Sequence, residues 1–187
     1  MLLNSGNAKL GWKLIPFYLL ANTGKRISTE MIFKNNGLAI AFICNHCPYV
    51  KDIINRMVED FNELLKIKVG VVAIMPNDTN TYPEDSYENM IKFAKKNKFT
   101  FPYLYDEDQK VAAEYNAVCT PDFFCFDKNK QLFYRGRLDN LKYQSKHKYK
   151  RKKELIEAFR LKINDNNIQS KQHASMGCSI KWKKNII

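Results

Sequence analysis

Two cysteines separated by two residues, Cys44 and Cys47, are the side chains of this chain best suited to chemistry. The apolar segment at residues 37–43 precedes them and predicts a buried strand. Apolar residues then recur between residues 50 and 65 with the 3.6-residue period of a helix that buries one face. Both thiols are therefore expected at a helix N-terminus, where unpaired N–H groups and the helix dipole favour a thiolate. The pattern predicts redox chemistry.

The elements that must position these thiols alternate between strand and helix. Residues 69–75 predict a second buried parallel strand, and Pro83-Glu84-Asp85 is expected to be the first turn of the next helix. The other predicted elements are short strands within 9–30, an extended piece at 101–106, a brief helix at 111–115, a hairpin of 122–126 with 131–135, and a last helix at 154–163. This order predicts an α/β fold with a mixed central sheet, an antiparallel edge and helices on both faces.

A second motif, Thr120-Pro121, precedes the predicted hairpin. A proline is tolerated where a strand opens, and a cis Thr120–Pro121 bond would present the Thr120 backbone sideways. A strand, a CxxC motif and a helix, with Thr-Pro before the final hairpin, together resemble the thioredoxin fold.

The chain more closely resembles the peroxiredoxin-like redoxins, the alkyl hydroperoxide reductase/thiol-specific antioxidant group of the thioredoxin superfamily. The blocks that carry the resemblance lie, in order, at 42–51, 82–86, 101–106, 118–124 and 177–182. The likeness extends from about residue 17 to residue 183. It implies a thioredoxin-like fold, with Pro121 as the cis-proline that faces the thiols, and a catalytic set of Cys44, Cys47, Thr120 and Pro121.

Two reactions are compatible with the thiol pair. In a thiol-disulfide oxidoreductase of the thioredoxin type, Cys44 attacks a disulfide and Cys47 resolves the mixed disulfide. In a thiol-dependent peroxidase, Cys47 attacks a hydroperoxide and becomes a sulfenic acid, which condenses with Cys44 or Cys178. Proline suits the first helical position, so Pro48 makes Cys47 the expected N-cap and gives it the stronger dipole effect.

Neighbouring residues modify this choice. The peroxiredoxin pattern has Thr or Ser three positions before the attacking cysteine, where this chain has Cys44, so disulfide exchange is the primary prediction. Arg135 and Arg137 are candidates by position for stabilising a thiolate, and a protonated His46 would add to that effect. Cys178 follows a glycine near the end of the sequence and is a candidate resolving thiol.

The number of cysteines and the distribution of apolar residues indicate the class of protein and its expected compartment. Five cysteines is an odd number, which favours reactive or structural thiols over a disulfide-stapled secreted scaffold. A zinc set of Cys44, Cys47, His173 and Cys178 is a minor alternative, and we expect neither a metal nor a cofactor. No apolar run approaches the roughly 20 residues of a membrane helix and no secretory signal is evident, so a cytoplasmic location is expected.

The net charge of +12 is concentrated in one segment, where seven basic residues lie between 142 and 153 without an acid. A solvated connector is the favoured interpretation, and a non-catalytic basic protein that binds RNA or an acidic partner is the third hypothesis. We expect a redoxin domain at 1–163 and a tail at 164–187 that packs only in part. The expected partners are a protein disulfide or hydroperoxide substrate and a reducing system of the thioredoxin or glutathione type, without a membrane or nucleic acid.

Overall fold

The computed structural model describes residues 1–6, 9–146, 150–165 and 171–184. Its elements follow in chain order: β1 (Leu2–Asn4), β2 (Tyr18–Ala21), β3 (Arg26–Ser28), α1 (Thr29–Ile32), β4 (Leu38–Phe42), α2 (Pro48–Lys66), β5 (Gly70–Met75), α3 (Tyr87–Lys96), β6 (Tyr103–Tyr105), α4 (Lys110–Glu114), β7 (Cys119–Thr120), β8 (Asp122–Phe126), β9 (Leu132–Gly136), α5 (Glu154–Asp165) and β10 (Met176–Ser179).

Seven strands form the central sheet in the order β3-β2-β6-β5-β4-β8-β9. The pairs β4–β5 and β5–β6 are parallel, whereas β8 and β9 form the antiparallel edge at one side and β2 and β3 the one at the other. The prediction of a mixed α/β, thioredoxin-like sheet is confirmed. The sheet places the end of β4, and therefore the CxxC motif, near its centre.

Side chains alternate between two apolar cores because successive residues of a strand point to opposite faces. In β4, Ala39 and Ala41 face the core covered by α2, α3 and α5, whereas Ile40 and Phe42 face the core covered by α4. Every residue of β4 and β5 is buried. The prediction of helices on both faces is thus confirmed, and β4, which leads into the CxxC motif, is covered on both sides.

One element differs from its prediction. Pro83–Asp85 is a separate 3-10 turn rather than the first turn of α3. Ser86 has an extended backbone and its Oγ accepts a hydrogen bond from the Asn89 N–H (3.3 Å), so α3 begins only at Tyr87. A serine is a strong N-cap, and it interrupts the helical conformation that the proline and two acids would allow.

A second sheet lies beside the first and consists of β1, β10 and β7. β10 is its middle strand and pairs antiparallel with both neighbours. The sequence segment expected to pack only in part therefore contributes a strand beside Thr120, while residues 166–170 and 185–187 lie outside the described part.

Candidate active site

The N-terminus of α2 holds both cysteines of the CxxC motif. Pro48 is the first helical residue and Cys47 is the N-cap, with φ −61° and ψ 124°, as Pro48 predicts. Cys44 and Cys47 are both 0% exposed and both are free thiols. Both sulfurs lie against Thr120, and each thiol shifts the pKa of the other, so they are close neighbours.

Thr120 joins the two sulfurs from the opposite side of the site. Its Oγ1 lies 3.2 Å from the Cys44 Sγ, and its carbonyl oxygen accepts a hydrogen bond from the Cys47 Sγ at 3.3 Å. The Thr120–Pro121 bond is cis. The four residues predicted as catalytic therefore lie together in one buried cluster.

The pKa values of the two thiols are shifted in opposite directions. The hydrogen bond donated to Cys47 raises the pKa of Cys44, and burial and the nearby Asp85 carboxylate raise it further. Acceptance of that same bond lowers the pKa of Cys47 to about 5, against the opposing effect of burial. The Cys178 thiol and the backbone N–H of Val50 also donate to the Cys47 sulfur. These donors outweigh the contact with the Thr120 carbonyl, so Cys47 is the thiolate of the pair.

Asp85 is a site residue that sequence analysis did not identify. It is 0% exposed and accepts four hydrogen bonds, from His46 Nδ1 (2.7 Å), Asn77 Nδ2 (2.7 Å), the Asn45 N–H (2.7 Å) and the His46 N–H (3.3 Å). Burial alone would raise the pKa of this carboxyl, but the bonds from His46 and Asn77 outweigh it and hold the pKa below its usual value. Asp85 is therefore a buried anion at neutral pH.

His46 connects this anion to the surface. Its hydrogen bond to Asp85 raises the pKa of the imidazole, while burial opposes the increase and the neighbouring Cys47 adds to it. The His46 ring stacks on Tyr82 at 5.7 Å between centroids, and Lys181 lies 5.7 Å above the other ring. The side chain of His46 is 25% exposed, so protons can pass between solvent and the buried site through this ring.

One group of potential metal ligands occurs in the described part of the chain, with the donor atoms of Cys44, His46 and Asp85 within 4.8 Å of one another. It differs from the zinc set considered from sequence, because His173 is not a member. The Asp85 carboxylate already accepts four hydrogen bonds, so this arrangement suits proton transfer better than metal binding.

The two arginines proposed to stabilise a thiolate are engaged with carboxylates. Arg135 donates to Asp122 (3.0 Å) and Arg137 donates twice to Glu154 (2.7 Å each). Arg137 does line a cavity of about 240 Å³ beside Pro121, whose walls also include Tyr49 and Met176. Its modulating role remains a prediction.

Cys178 lies beside Thr120 in the three-stranded sheet. Cys178 and Thr120 are paired across β10 and β7, and Gly177 packs so closely that a Cβ added there would lie 1.9 Å from the Thr120 carbonyl oxygen. Only a residue without a side chain permits this approach. A glycine before the cysteine was visible in the sequence, but the strand that it permits was not.

Two residues of the basic segment bind carboxylates of α2. Arg151 donates to Asp60 and to Asp139 (2.7 Å), and Lys153 donates to Glu63 (2.7 Å). Lys142 and Lys146 are exposed, whereas His147 and Lys148 lie outside the described residues. Among the helices of the described residues, none combines the length and apolar character needed to cross a membrane.

Comparisons with known proteins bear on the family and the fold. The chain matches the AhpC/TSA family over residues 10–135. An uncharacterized conserved protein from Geobacillus kaustophilus is 39% identical and has a TM-score of 0.93, with 99% of this chain and 98% of that chain covered. No curated protein matches the chain significantly.

Two more distant structures share only the fold. Peroxidoxin BcpB from Mycobacterium tuberculosis is 17% identical with a TM-score of 0.58, over 69% of this chain and 85% of that chain. A secreted disulfide oxidoreductase from Mycobacterium tuberculosis is also 17% identical, with a TM-score of 0.53, over 62% of this chain and 79% of that chain.

Proposed function

The chain belongs to the AhpC/TSA family of the thioredoxin superfamily, and on that premise we propose that it is a thiol-disulfide oxidoreductase with Cys44 and Cys47 as its redox pair. One observation carries the proposal: two buried sulfurs lie together against Thr120, with the pKa of Cys47 lowered to about 5 and that of Cys44 raised. Disulfide exchange needs one thiolate that attacks and a second thiol that stays protonated until it resolves the product.

The first step uses Cys47. Its thiolate attacks one sulfur of a substrate disulfide, a Cys47–substrate S–S bond forms, and the other substrate sulfur leaves as a thiolate. An imidazolium at His46, whose pKa is raised by Asp85, supplies a proton to that leaving group. The cavity beside Pro121 offers room for apolar side chains that flank a substrate disulfide.

The second step uses Cys44. The Cys44 thiol must lose its proton before it attacks the Cys47 sulfur and releases the second substrate thiolate. A ring nitrogen of His46 and an oxygen of Asp85 lie within 4.8 Å of the Cys44 sulfur, so the neutral imidazole left by the first step accepts this proton. A Cys44–Cys47 disulfide results, and a reducing system of the thioredoxin or glutathione type restores both thiols.

A thiol-dependent peroxidase is the second candidate, because the same Cys47 thiolate precedes Pro48. Cys47 would attack the peroxide, giving a sulfenic acid and an alcohol or water, and Cys44 would condense with it to form a disulfide and release water. Arg135 and Arg137 are paired with Asp122 and Glu154, which favours disulfide exchange over peroxide reduction.

Replacement of each cysteine tests the assignment. We expect Cys47→Ser to lower the rate of insulin disulfide reduction by roughly a thousandfold or more, since the attacking thiolate is lost. Cys44→Ser is expected to keep the first step, and when combined with Cys178→Ser, which removes the other thiol near Cys47, to accumulate a mixed disulfide on Cys47, detected by intact mass. Cys125→Ser, at a buried core position, is the matched control. Full activity in both active-site variants would refute the proposal, and rapid sulfenate trapping at Cys47 with slow disulfide exchange would favour the peroxidase.

The pH dependence gives a second test. Because the folded-state pKa of Cys47 is lowered, its reactivity with iodoacetamide should be constant near neutral pH and fall as the pH drops through about 5. The stability that the thiolate contributes should be full above the ordinary cysteine pKa of about 8.5 and be lost as the pH falls through the folded value. An alkylation midpoint near the ordinary cysteine pKa would contradict the assignment of Cys47 as the attacking thiolate.

A further inference from the structure

A third thiol contacts the redox pair. The backbone of Cys178 is paired with that of Thr120, the residue that contacts both active-site sulfurs. Cys178 also packs against the apolar cluster that contains Cys44 and Cys47. Cys178 lowers the pKa of Cys47, and Cys47 raises that of Cys178, as expected for two neighbouring thiols.

The three sulfurs differ in access. Cys44 and Cys47 are 0% exposed, whereas Cys178 is partly exposed. Disulfide exchange requires the incoming thiolate to reach a sulfur of the disulfide. Both sulfurs of a Cys44–Cys47 disulfide in this position are less accessible to a protein donor than Cys178, which is the most exposed of the three cysteines.

We propose that Cys178 is an exchange thiol that carries the disulfide from the buried pair to the surface, where an external reducing thiol attacks it. The proposal rests on the function proposed above and adds the route by which the oxidised protein is reduced. Cys47 takes part in two alternative disulfides, an inner one with Cys44 and an outer one with Cys178.

The exchange conserves electrons and protons. The deprotonated Cys178 sulfur attacks the Cys47 sulfur of the inner disulfide, the Cys44–Cys47 bond breaks, and the proton lost by Cys178 is balanced by one gained at Cys44. A dithiol donor then attacks the Cys178 sulfur, and Cys47 leaves as a thiolate. The second thiol of the donor releases Cys178, so the donor becomes a disulfide and the protein regains three thiols.

Two neighbouring features favour these steps. A thiol of low pKa is a good leaving group, and Cys47 is the leaving group when the outer disulfide is attacked. Burial and the bond donated to Cys47 raise the pKa of Cys178 to about 11, but the positive charge of Lys181 opposes that increase. The Lys181 Nζ is held near the strand by the Ser179 carbonyl (2.8 Å) and Oγ (3.0 Å).

The outer disulfide is tested with Cys44→Ser and oxidised glutathione as the probe. We expect Cys47 to take up glutathione and then lose it as Cys178 attacks, giving a Cys47–Cys178 disulfide in peptide mapping. Cys44→Ser with Cys178→Ser should retain the glutathione adduct, whereas Cys44→Ser with Cys119→Ser should still form the outer disulfide. A stable adduct on Cys47 in Cys44→Ser, with Cys178 free, would overturn the proposal. If oxidised glutathione gives no adduct and no disulfide at Cys47, in wild type and in Cys44→Ser alike, the proposed function is refuted instead.

The route is tested with Cys178→Ser alone. Its inner disulfide should form normally, but reduction of that disulfide by a thioredoxin should slow by at least about tenfold because the intramolecular exchange is lost. Reduction by dithiothreitol, which is small, should slow less. Far-ultraviolet circular dichroism, together with Cys178→Ala, verifies that the fold is retained. Equal rates of reduction by thioredoxin in wild type and Cys178→Ser would overturn the route.

Discussion

Two buried carboxylates, one beside the N-terminus of helix α2 and one in its middle, are stabilised in different ways. At the N-terminus of the helix, Asp85 is 0% exposed and is satisfied by a histidine, an amide and two backbone N–H groups. In its middle, Asp60 is also 0% exposed, and its ion-pair partners among the described residues are the cations Arg151 and Lys153. Burial raises the pKa of Asp60 against the pull of those cations, whereas the pKa of Asp85 is lowered.

The difference separates chemistry from architecture. Asn77 and two backbone N–H groups stabilise the Asp85 charge beside His46, so the carboxylate can act on His46 and Cys44. Arg151 and Lys153 instead form ion pairs with Asp60 that hold the basic segment against the helix. Asp60 Oδ1 still lacks a hydrogen-bond donor among the described residues. A buried ion pair of this kind fixes position, while removal of one partner is costly.

The largest effect should come from breaking the pair in the middle of the helix. Arg151→Met leaves Asp60 buried without its main cation and is expected to lower the free energy of unfolding by about 3–5 kcal/mol. Urea unfolding measures this change. Because the thiol site lies at the other end of the helix, the pH midpoint of Cys47 alkylation should stay unchanged in the folded variant.

A matched variant and a double variant sharpen this result. Arg160→Met removes an exposed cation from Glu63 and should cost no more than about 1 kcal/mol. Adding Asp60→Leu to Arg151→Met should recover part of the lost stability, because the unpaired charge is gone. An Arg151→Met protein as stable as wild type would show that Asp60 is adequately held without its arginine.

The next effect concerns the carboxylate at the thiol site. Asp85→Asn should slow resolution of the Cys47 mixed disulfide by about a hundredfold, the scale of one general acid–base contribution. The initial attack by Cys47 should change less, because its hydrogen-bond donors remain. Stopped-flow measurements that separate the two steps distinguish this role from a loss of structure, which would slow both.

Asp108→Asn is the control for the loss of one negative charge, since Asp108 is exposed and pairs with Lys110. It should leave both steps at the wild-type rate. If Asp85→Asn slows neither step, the proton from Cys44 is accepted elsewhere.

The smallest effect is expected on the surface of the basic segment. Replacing Lys142 and Lys146 by Ala should alter the free energy of unfolding by no more than about 0.5 kcal/mol and leave disulfide exchange unchanged. Binding to heparin should be weak in both proteins. Tight binding with a steep salt dependence that these substitutions abolish would instead support the hypothesis of a basic binding protein.

The sequence predicted the core of the fold because its signals are local. The continuous apolar run of β4, the 3.6-residue period of α2 and the position of Pro48 determine the elements that flank the CxxC motif. Thr120 and Pro121 were identified as site residues by family resemblance, since nothing local to them indicates that they contact the cysteines.

The parts that escaped prediction depend on contacts between distant segments. Asp85 accepts a hydrogen bond from the N–H of Asn45, 40 positions earlier in the chain, and no local sequence pattern indicates a contact at that separation. β10 is only four residues long, Met-Gly-Cys-Ser, which is too short for a hydrophobic pattern to indicate its pairing with β1 and β7. In both cases a polar side chain or a glycine was visible, but its partner was not.

The close packing of Gly177 on Thr120 also offers a way to change how far solvent reaches the thiols. A single added methyl group would wedge β10 away from the loop and admit solvent to Cys47, although no sulfur or charged group would be altered. Gly177→Ala is thus expected to change the access of solvent to the redox centre, by moving β10 together with Cys178, without replacing any sulfur.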